Sequence, residues 1–425
     1  MDLIIRQAKL IDQEPFVDIA IKDGYFVKIA ENITDLTKKE IHANGKLVSP
    51  PFVESHIHLD SALTVGQPRH NSSGTLLEGI QIWSDYKETI SKQAIKENAK
   101  KTLFWLMANG VLHVRTHIDT TEPQLLTMKA LLEVKQELTD MIDLQIVAFP
   151  QDGIFAFNGM DRLLEDALEM GADVIGGIPQ VELTREDGIK QIEYIFNLAK
   201  KHHKMIDIHT DETTDEQSRF AEVIAKYAIK FGMENQVTAS HTTALHNYNN
   251  DYAQKLIGNL KRSGVNIVTN PFSNAMLQNR LDHYPKHRGT TRVDELLKNG
   301  INVSIGNDNI MDPFNPLGKG NLLQAAHLLA HTAHLSSQTE LRKLFQMITV
   351  NGAQTLNIEN YGINVGNQAD CITLDAYDEV EAIRLTSECL YVIRHGQIIA
   401  ETTPATSKLH LADHTFPVDF KFRRE

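Results

Sequence analysis

The sequence predicts an α/β fold, a TIM-like (β/α)₈ barrel joined to a small β-sandwich that both chain ends build together. Eight short apolar segments alternate with amphipathic helical ones through the middle of the chain, as repeated βα units require. Short strand-like runs broken by turn residues occupy both ends instead.

At the N-terminal end the runs are Leu3–Arg6, Val17–Ile21 followed by the turn Asp23-Gly24, and Phe26–Ala30. The same texture returns in Cys371–Leu374, Leu390–Arg394 and Ile398–Ala400, so residues 1–49 and 362–415 are expected to complete one sandwich. Residues 416–425, closing on Lys421-Phe422-Arg423-Arg424-Glu425, are set apart as a polar tail without assigned structure.

Residues 50–361 are assigned to the barrel. Its strands are Phe52–His58, Leu112–His117, Leu144–Phe149, Val174–Ile178, Met205–His209, Val237–His241, Val265–Asn270 and Val303–Asn307. Helical periodicity fills the gaps, for example Met128–Glu137, Arg162–Met170, Ile189–Lys200, Arg219–Phe231 and Val293–Asn299 before Gly300. Gly66–Trp83 is the longest insertion and is placed to cover the barrel mouth. The rival fold, an open doubly wound sheet, lacks support because no Gly-x-Gly-x-x-Gly turn follows the first strand and no phosphate loop is present.

Composition narrows the function. With 42% apolar and 23% charged residues the chain is an ordinary soluble globular protein. No apolar run approaches ~18 residues, and the N-terminus lacks a basic region ahead of an apolar one, so the reading is cytoplasmic, with no membrane partner. Cys371 and Cys389 form no close metal-type pair, which suits a reducing compartment and a structural role. A net charge of -13 argues against nucleic acid as the main partner.

Barrel sites form where strands end, so polar residues there are informative. His56 and His58, two apart on strand one, project to one face. Strand five ends in Asp207-Ile208-His209-Thr210-Asp211-Glu212, strand six in Ser240-His241-Thr242-Thr243, and strand eight in Gly306-Asn307-Asp308. Singly, His209 and His241 read equally as core histidines and Asp308 as a helix cap. Together, His56, His58, His209 and Asp308 supply three nitrogens and one oxygen, a set for one divalent transition metal with a position left for water. Such an ion lowers the pKa of its water toward neutrality. His241 then stands beside that water as a base or electrostatic partner, and Glu212, three residues beyond His209, is a candidate to carry a proton to the leaving group.

These residues resemble the amidohydrolase superfamily and, within it, the bacterial cytosine deaminases of the barrel type. The resemblance spans nearly the whole chain and includes Pro51–Asp60, Gly110–Asp119, Ile142–Gln151, Ser240–His246 and Asp312–Gly318. It implies a single iron or zinc ion on His56, His58, His209 and Asp308, with Glu212 as proton shuttle and His241 contacting the attacking water. It also implies that the Gln151 amide pairs with the ring carbonyl and neighbouring nitrogen of a free base, and that Leu76 lines the pocket. The implied reaction is attack of metal-bound hydroxide on the amino-bearing ring carbon, taking cytosine to uracil and ammonia. Homo-oligomers are common in the family, so a homo-oligomer is expected.

The chain departs from that pattern around Asp308. Asn309 stands where a second aspartate is usual, Asn307 where histidine is frequent, Phe314 in place of a tryptophan and Thr210 in place of a cysteine, and the loop Pro271–Met276 has a different form. The Asp-Asn order resembles the isopropylammelide amidohydrolases of the same superfamily. Asn309 and Phe314 are therefore expected to set the choice among cytosine, 5-methylcytosine, isoguanine, creatinine and isopropylammelide-type triazines. A two-metal hydrolase is disfavoured because strand four offers Gln180 and Glu182 but no lysine. A scaffold without catalysis fits poorly, since every metal and acid–base position is filled.

Overall fold

The computed structural model describes residues 1–11, 13–412 and 414–422. Eight parallel strands run side by side in chain order: β6 (Phe52–Ile57), β7 (Val111–Asp119), β8 (Asp143–Phe149), β9 (Val174–Gly177), β10 (Met205–Thr210), β11 (Val237–His241), β12 (Asn266–Thr269) and β13 (Val303–Ile305). They follow β1 (Leu3–Ala8), β2 (Val17–Lys22), β3 (Tyr25–Ala30), β4 (Lys39–His42) and β5 (Val48–Ser49). The ring is closed at its C-terminal end by backbone bonds across the first and last strands, Asp308 N–H to His56 C=O and His58 N–H to Asp308 C=O, both 2.8 Å.

Every residue of β6 and β7 is buried, because a barrel strand packs side chains inward on the ring's interior and outward on its helices. Outer helices begin where side chains satisfy the free N–H groups. Ser91 caps Lys92–Ala108, Thr184 caps Arg185–His202, and Ser337 and Glu340 form a reciprocal box before Gln338–Met347. Interior faces of the strands and inner faces of the helices share one continuous apolar core.

The chain ends form two four-stranded sheets. One has the order β3-β2-β1-β4, and the other pairs β5 with β14 (Cys371–Leu374), β15 (Cys389–Arg394) and β16 (Gln397–Glu401). Leu3, Ile5, Ile19 and Ile21 from one sheet and Val48, Cys371 and Ile393 from the other lie in a common core. Both cysteines are free and buried. Arg394 joins this unit to the barrel floor through Asp143 of β8 at 2.7 Å while also holding Asp370 at 2.8 Å.

Two differences from the sequence reading concern lengths. Four barrel strands stop one or two residues short of expectation, β6 at Ile57, β9 at Gly177, β12 at Thr269 and β13 at Ile305, where the chain leaves the ladder at the top of the barrel. At the far end, β17 (Ser407–Leu411) and β18 (His414–Val418) form an exposed antiparallel hairpin that crosses the 415/416 boundary of the expected tail. Its register sets Leu409 opposite Phe416, a cross-strand apolar pair that the polar composition concealed. Residues 423–425 of that tail lie outside the described residues.

Candidate active site

β6, β10, β11 and β13 deliver their last side chains to one point at the top of the barrel. His56, His209, His241 and Asp308 each place a ligand-type atom within 4.8 Å of the others, and all four are buried. His58 joins them, its Nε2 lying 3.1 Å from His209 Nε2 and 3.4 Å from Asp308 Oδ1. His56 Nε2 stands 3.3 Å from the same oxygen. His241, Thr242 and Asp308 adopt left-handed backbone angles, φ +71°, +48° and +64°, which non-glycine residues rarely hold and which turn the chain sharply out of the strands.

The donor set suits a divalent cation. Burial lowers His56 to about 4 and His241 to about 3, and holds His209 well below its ordinary value, so these rings are neutral with lone pairs available. Burial would lower His58 too, but Asp308 raises it. Burial would raise Asp308, yet the surrounding histidines hold it well below the carboxylate range. His56 Nε2 and His209 Nδ1 are buried without a hydrogen-bond partner among the described residues. Imidazole nitrogens converging on one buried carboxylate form a set that a cation would satisfy.

A second layer, to which the sequence reading assigned no role, orients the first. The Ser240 hydroxyl donates to Asp207 Oδ1 at 2.7 Å and lies 3.0 Å from His56 Nδ1. Arg115, fully buried, donates to Asp207 Oδ2 at 3.0 Å and so neutralises a carboxylate inside the barrel. His117 stacks on His56 with centroids 3.9 Å apart, and Phe149 stacks on His209 at 4.0 Å. Glu54 accepts from Asn307 N–H at 2.9 Å, tying the first strand to the eighth beside Asp308. The signal for the layer was present in β7, where His113, Arg115 and His117 alternate along a fully buried strand.

Glu212 reaches the cluster from beyond β10. Its Oε1 is 3.4 Å from His241 Nδ1, and Asn274 Nδ2 stands 2.9 Å from that nitrogen and 3.5 Å from the carboxylate. Burial, reinforced by the charge of Asp308, pushes Glu212 well above the usual range, so it is held as the acid. Asn270 Nδ2 also approaches His241, at 3.3 Å. Neither asparagine was anticipated; Asn270 is the N-cap of the helix Pro271–Leu277 and Asn274 lies within it, in a segment the sequence marked only as unusual.

A small cavity, open at its mouth, adjoins the cluster. Its walls include His58, His209, Glu212 and Asp308 and, around them, Gln151, Leu76, Asn309 and Phe314. All four residues expected to touch a substrate thus border the same space. Ile178 and Leu277 complete it and were not foreseen. Gln151 is a buried residue on this wall and, among the described residues, its side-chain amide has no hydrogen-bond partner within the protein. Asn309 is engaged, accepting from Ser273 Oγ at 3.0 Å and donating to Asp312 Oδ2 at 2.7 Å. Glu182, which the sequence reading put on strand four, lies beyond β9 at the end of the short 3-10 turn Pro179–Val181; it accepts from Ile154 N–H at 2.6 Å and Phe155 N–H at 3.1 Å, which occupies it in holding the loop after β8.

The fold and sequence have counterparts among known proteins. The 5-methylcytosine deaminase of Klebsiella pneumoniae, solved with 5-fluorocytosine, superposes with a TM-score of 0.92 at 43% identity over 95% of this chain and 98% of that one. N-isopropylammelide isopropylaminohydrolase from Burkholderia multivorans gives a TM-score of 0.82 at 25% identity over 94% and 99%. In sequence, N-isopropylammelide isopropyl amidohydrolase from a Pseudomonas species is 32% identical over 411 residues, 94% of this chain and 97% of that protein. No helix among the described residues is long and apolar enough to cross a membrane. The amidohydrolase family profile matches residues 39–400, and the chain belongs to the amidohydrolase family.

Proposed function

We propose that the protein is a metal-dependent aminohydrolase of free pyrimidines, releasing ammonia from cytosine or a 5-substituted cytosine. The observation that carries this reading is the unpartnered Gln151 amide facing, across one small cavity, the buried acid Glu212 and the His–Asp cluster. A side-chain amide offers a donor and an acceptor together, which matches a ring carbonyl beside a ring nitrogen. The likeness over 95% of the chain to a 5-methylcytosine deaminase supports the same substrate class.

His56, His58, His209 and Asp308 would hold one ion per chain, Fe(II) or Zn(II), since imidazole and carboxylate suit both. Bound there, such an ion would supply hydroxide at neutral pH from a water whose pKa it lowers. Asp308 accepts the proton that water gives up. Gln151 holds the ring edge-on, and Glu212 delivers its proton to the ring nitrogen adjacent to the amino-bearing carbon. As the new C–O bond forms, that carbon becomes tetrahedral; the C–N bond then breaks as the proton taken up by Asp308 passes to the departing nitrogen, the new hydroxyl returns its proton to Glu212, and ammonia leaves with a ring carbonyl in place of the amine. His241, neutral and bonded by Asn274, orients the oxygen nucleophile and holds Glu212 in line.

Ammonia release should be measured from cytosine, 5-methylcytosine, 5-fluorocytosine, isoguanine and creatinine with iron- and zinc-loaded protein. Turnover of a cytosine is expected, and silence on every pyrimidine overturns the reading. A second reading, removal of an alkylamine from an N-alkylated ammelide, is favoured by the Asp308-Asn309 order and by the 32% identical relative. Isopropylamine release from N-isopropylammelide in preference to ammonia from cytosine would establish it instead. A cytoplasmic homo-oligomer completes the proposal, with light scattering as the test of assembly.

A further inference from the structure

The insertion after β6 ends in a buried cation for which the chemistry above has no use. α1 (Leu76–Lys87) is capped by Thr75, begins at Leu76 on the cavity wall and closes at Lys87. The Lys87 side chain is only 6% exposed, and its ammonium directs three hydrogen bonds into one cluster: Thr121 Oγ1 and Asp152 Oδ2 at 2.7 Å, Asp119 Oδ2 at 2.9 Å. Asp119 is the last residue of β7, and its Oδ2 also accepts from Trp83 Nε1 at 3.0 Å, one turn earlier on α1. Asp152 directly follows Gln151 on the turn Pro150–Gly153, which is closed by Gly153 N–H to Pro150 C=O at 2.9 Å. Three segments distant in sequence therefore meet on one ammonium.

Lysine is almost never buried without such partners. Burial alone would lower its pKa, but Asp119 and Asp152 outweigh that and raise it, so the cation persists at any working pH. Each side chain in the cluster lies outside the cavity wall; what reaches the cavity are the neighbours they hold, Leu76 at one end of α1 and Gln151 beside Asp152.

We propose that Lys87 is a positioning residue that clamps α1 and the Pro150–Gly153 turn together, so that the Gln151 amide meets the ring edge in one fixed orientation. This rests on the pyrimidine reading for the role of Gln151. The clamp itself does not need that reading.

The test uses metal-loaded full-length protein carrying Lys87→Met or Asp152→Asn, the second retaining the shape of the cluster should the first fold poorly. Each is made with and without Gln151→Ala. With the best pyrimidine substrate, either single change should raise KM about tenfold while kcat moves less than about threefold. In the Gln151→Ala background the same change should add nothing further, the non-additivity of residues acting through one group. Hydrogen exchange should show residues 76–87 and 150–153 losing protection together while β10 and β11 keep theirs. Additive effects on KM, or unchanged exchange in those two segments, overturn the proposal. Should no pyrimidine be turned over, the functional reading falls, and the exchange experiment alone decides the clamp.

Discussion

Ser240→Ala is the substitution that most directly probes whether the cluster is a metal centre. The Ser240 hydroxyl has a single proton, and at 2.7 Å it goes to Asp207 Oδ1, leaving a lone pair 3.0 Å from His56 Nδ1. That places the ring proton of His56 on Nδ1 and frees Nε2, 3.3 Å from Asp308 Oδ1, to bind an ion. Alanine leaves Nδ1 buried without this partner, while Asp207 keeps Arg115 at 3.0 Å. A buried group left unpaired costs about 1–3 kcal/mol. Removing a hydrogen bond to a ligating histidine lowers metal affinity roughly 10–100-fold, or about 1.4–2.8 kcal/mol. The assay is metal content after dialysis against a graded chelator, with urea denaturation of metal-free protein measured in parallel. Wild-type chelator resistance together with wild-type stability would refute the argument, because it would mean that Ser240 neither orients His56 nor satisfies a buried group.

Four further outcomes follow from the same geometry. Glu212→Gln should cut turnover by about 10²–10⁴-fold and leave metal content intact, since the residue is placed as proton donor and not as ligand; unchanged turnover removes it from the mechanism. Gly79→Ala would set a Cβ 2.7 Å from Phe314 Cδ1, and overpacking of about 1–3 kcal/mol should displace the ring and raise KM with kcat little changed. In the sandwich, burial alone would raise Asp18, but hydrogen bonds from Gln7 N–H, Arg6 and Ile33 N–H hold it below its ordinary value. Its contribution is therefore complete above the unfolded pKa of about 3.9 and lost as pH falls through the lower native value; Asp18→Asn should flatten this acid limb in urea titrations and cost about 1–3 kcal/mol at pH 7. Stripping the ion should abolish ammonia release and lower the melting temperature, and Zn(II) or Fe(II) should restore both; full activity without metal would exclude the centre.

Much of the architecture was legible because its signals are local. A barrel strand is a short apolar run bounded by turn residues, so β11 (Val237–His241) was placed with its observed ends and β8 and β10 to within a residue. Strand termini were less clear, since at Ile305-Gly306-Asn307-Asp308 the ladder gives way to a positive-φ residue that no apolar pattern marks. The Leu409–Phe416 hairpin was hidden for a related reason: its two apolar residues acquire meaning only once the strands pair. Asn274 and Asn270 were missed because an asparagine after a strand usually reads as a turn or cap, and only the fold brings these two against His241.

By itself the sequence determined the period of the elements, the end of the barrel at which chemistry is gathered, and the residue types His56, His58, His209, Glu212, His241 and Asp308 offered there. Periodicity and strand-end polarity are properties of neighbours along the chain. Tertiary structure alone decided which groups became partners: the Ser240–Asp207–Arg115 layer beneath the cluster, the Asn309 amide engaged by Ser273 and Asp312, and the Lys87 ammonium shared by Asp119 and Asp152. The physical reason is ring closure. Bending eight strands into a barrel brings side chains up to some 250 residues apart within hydrogen-bond distance, in an interior where each buried polar group must find a partner and no feature of the local sequence records which one.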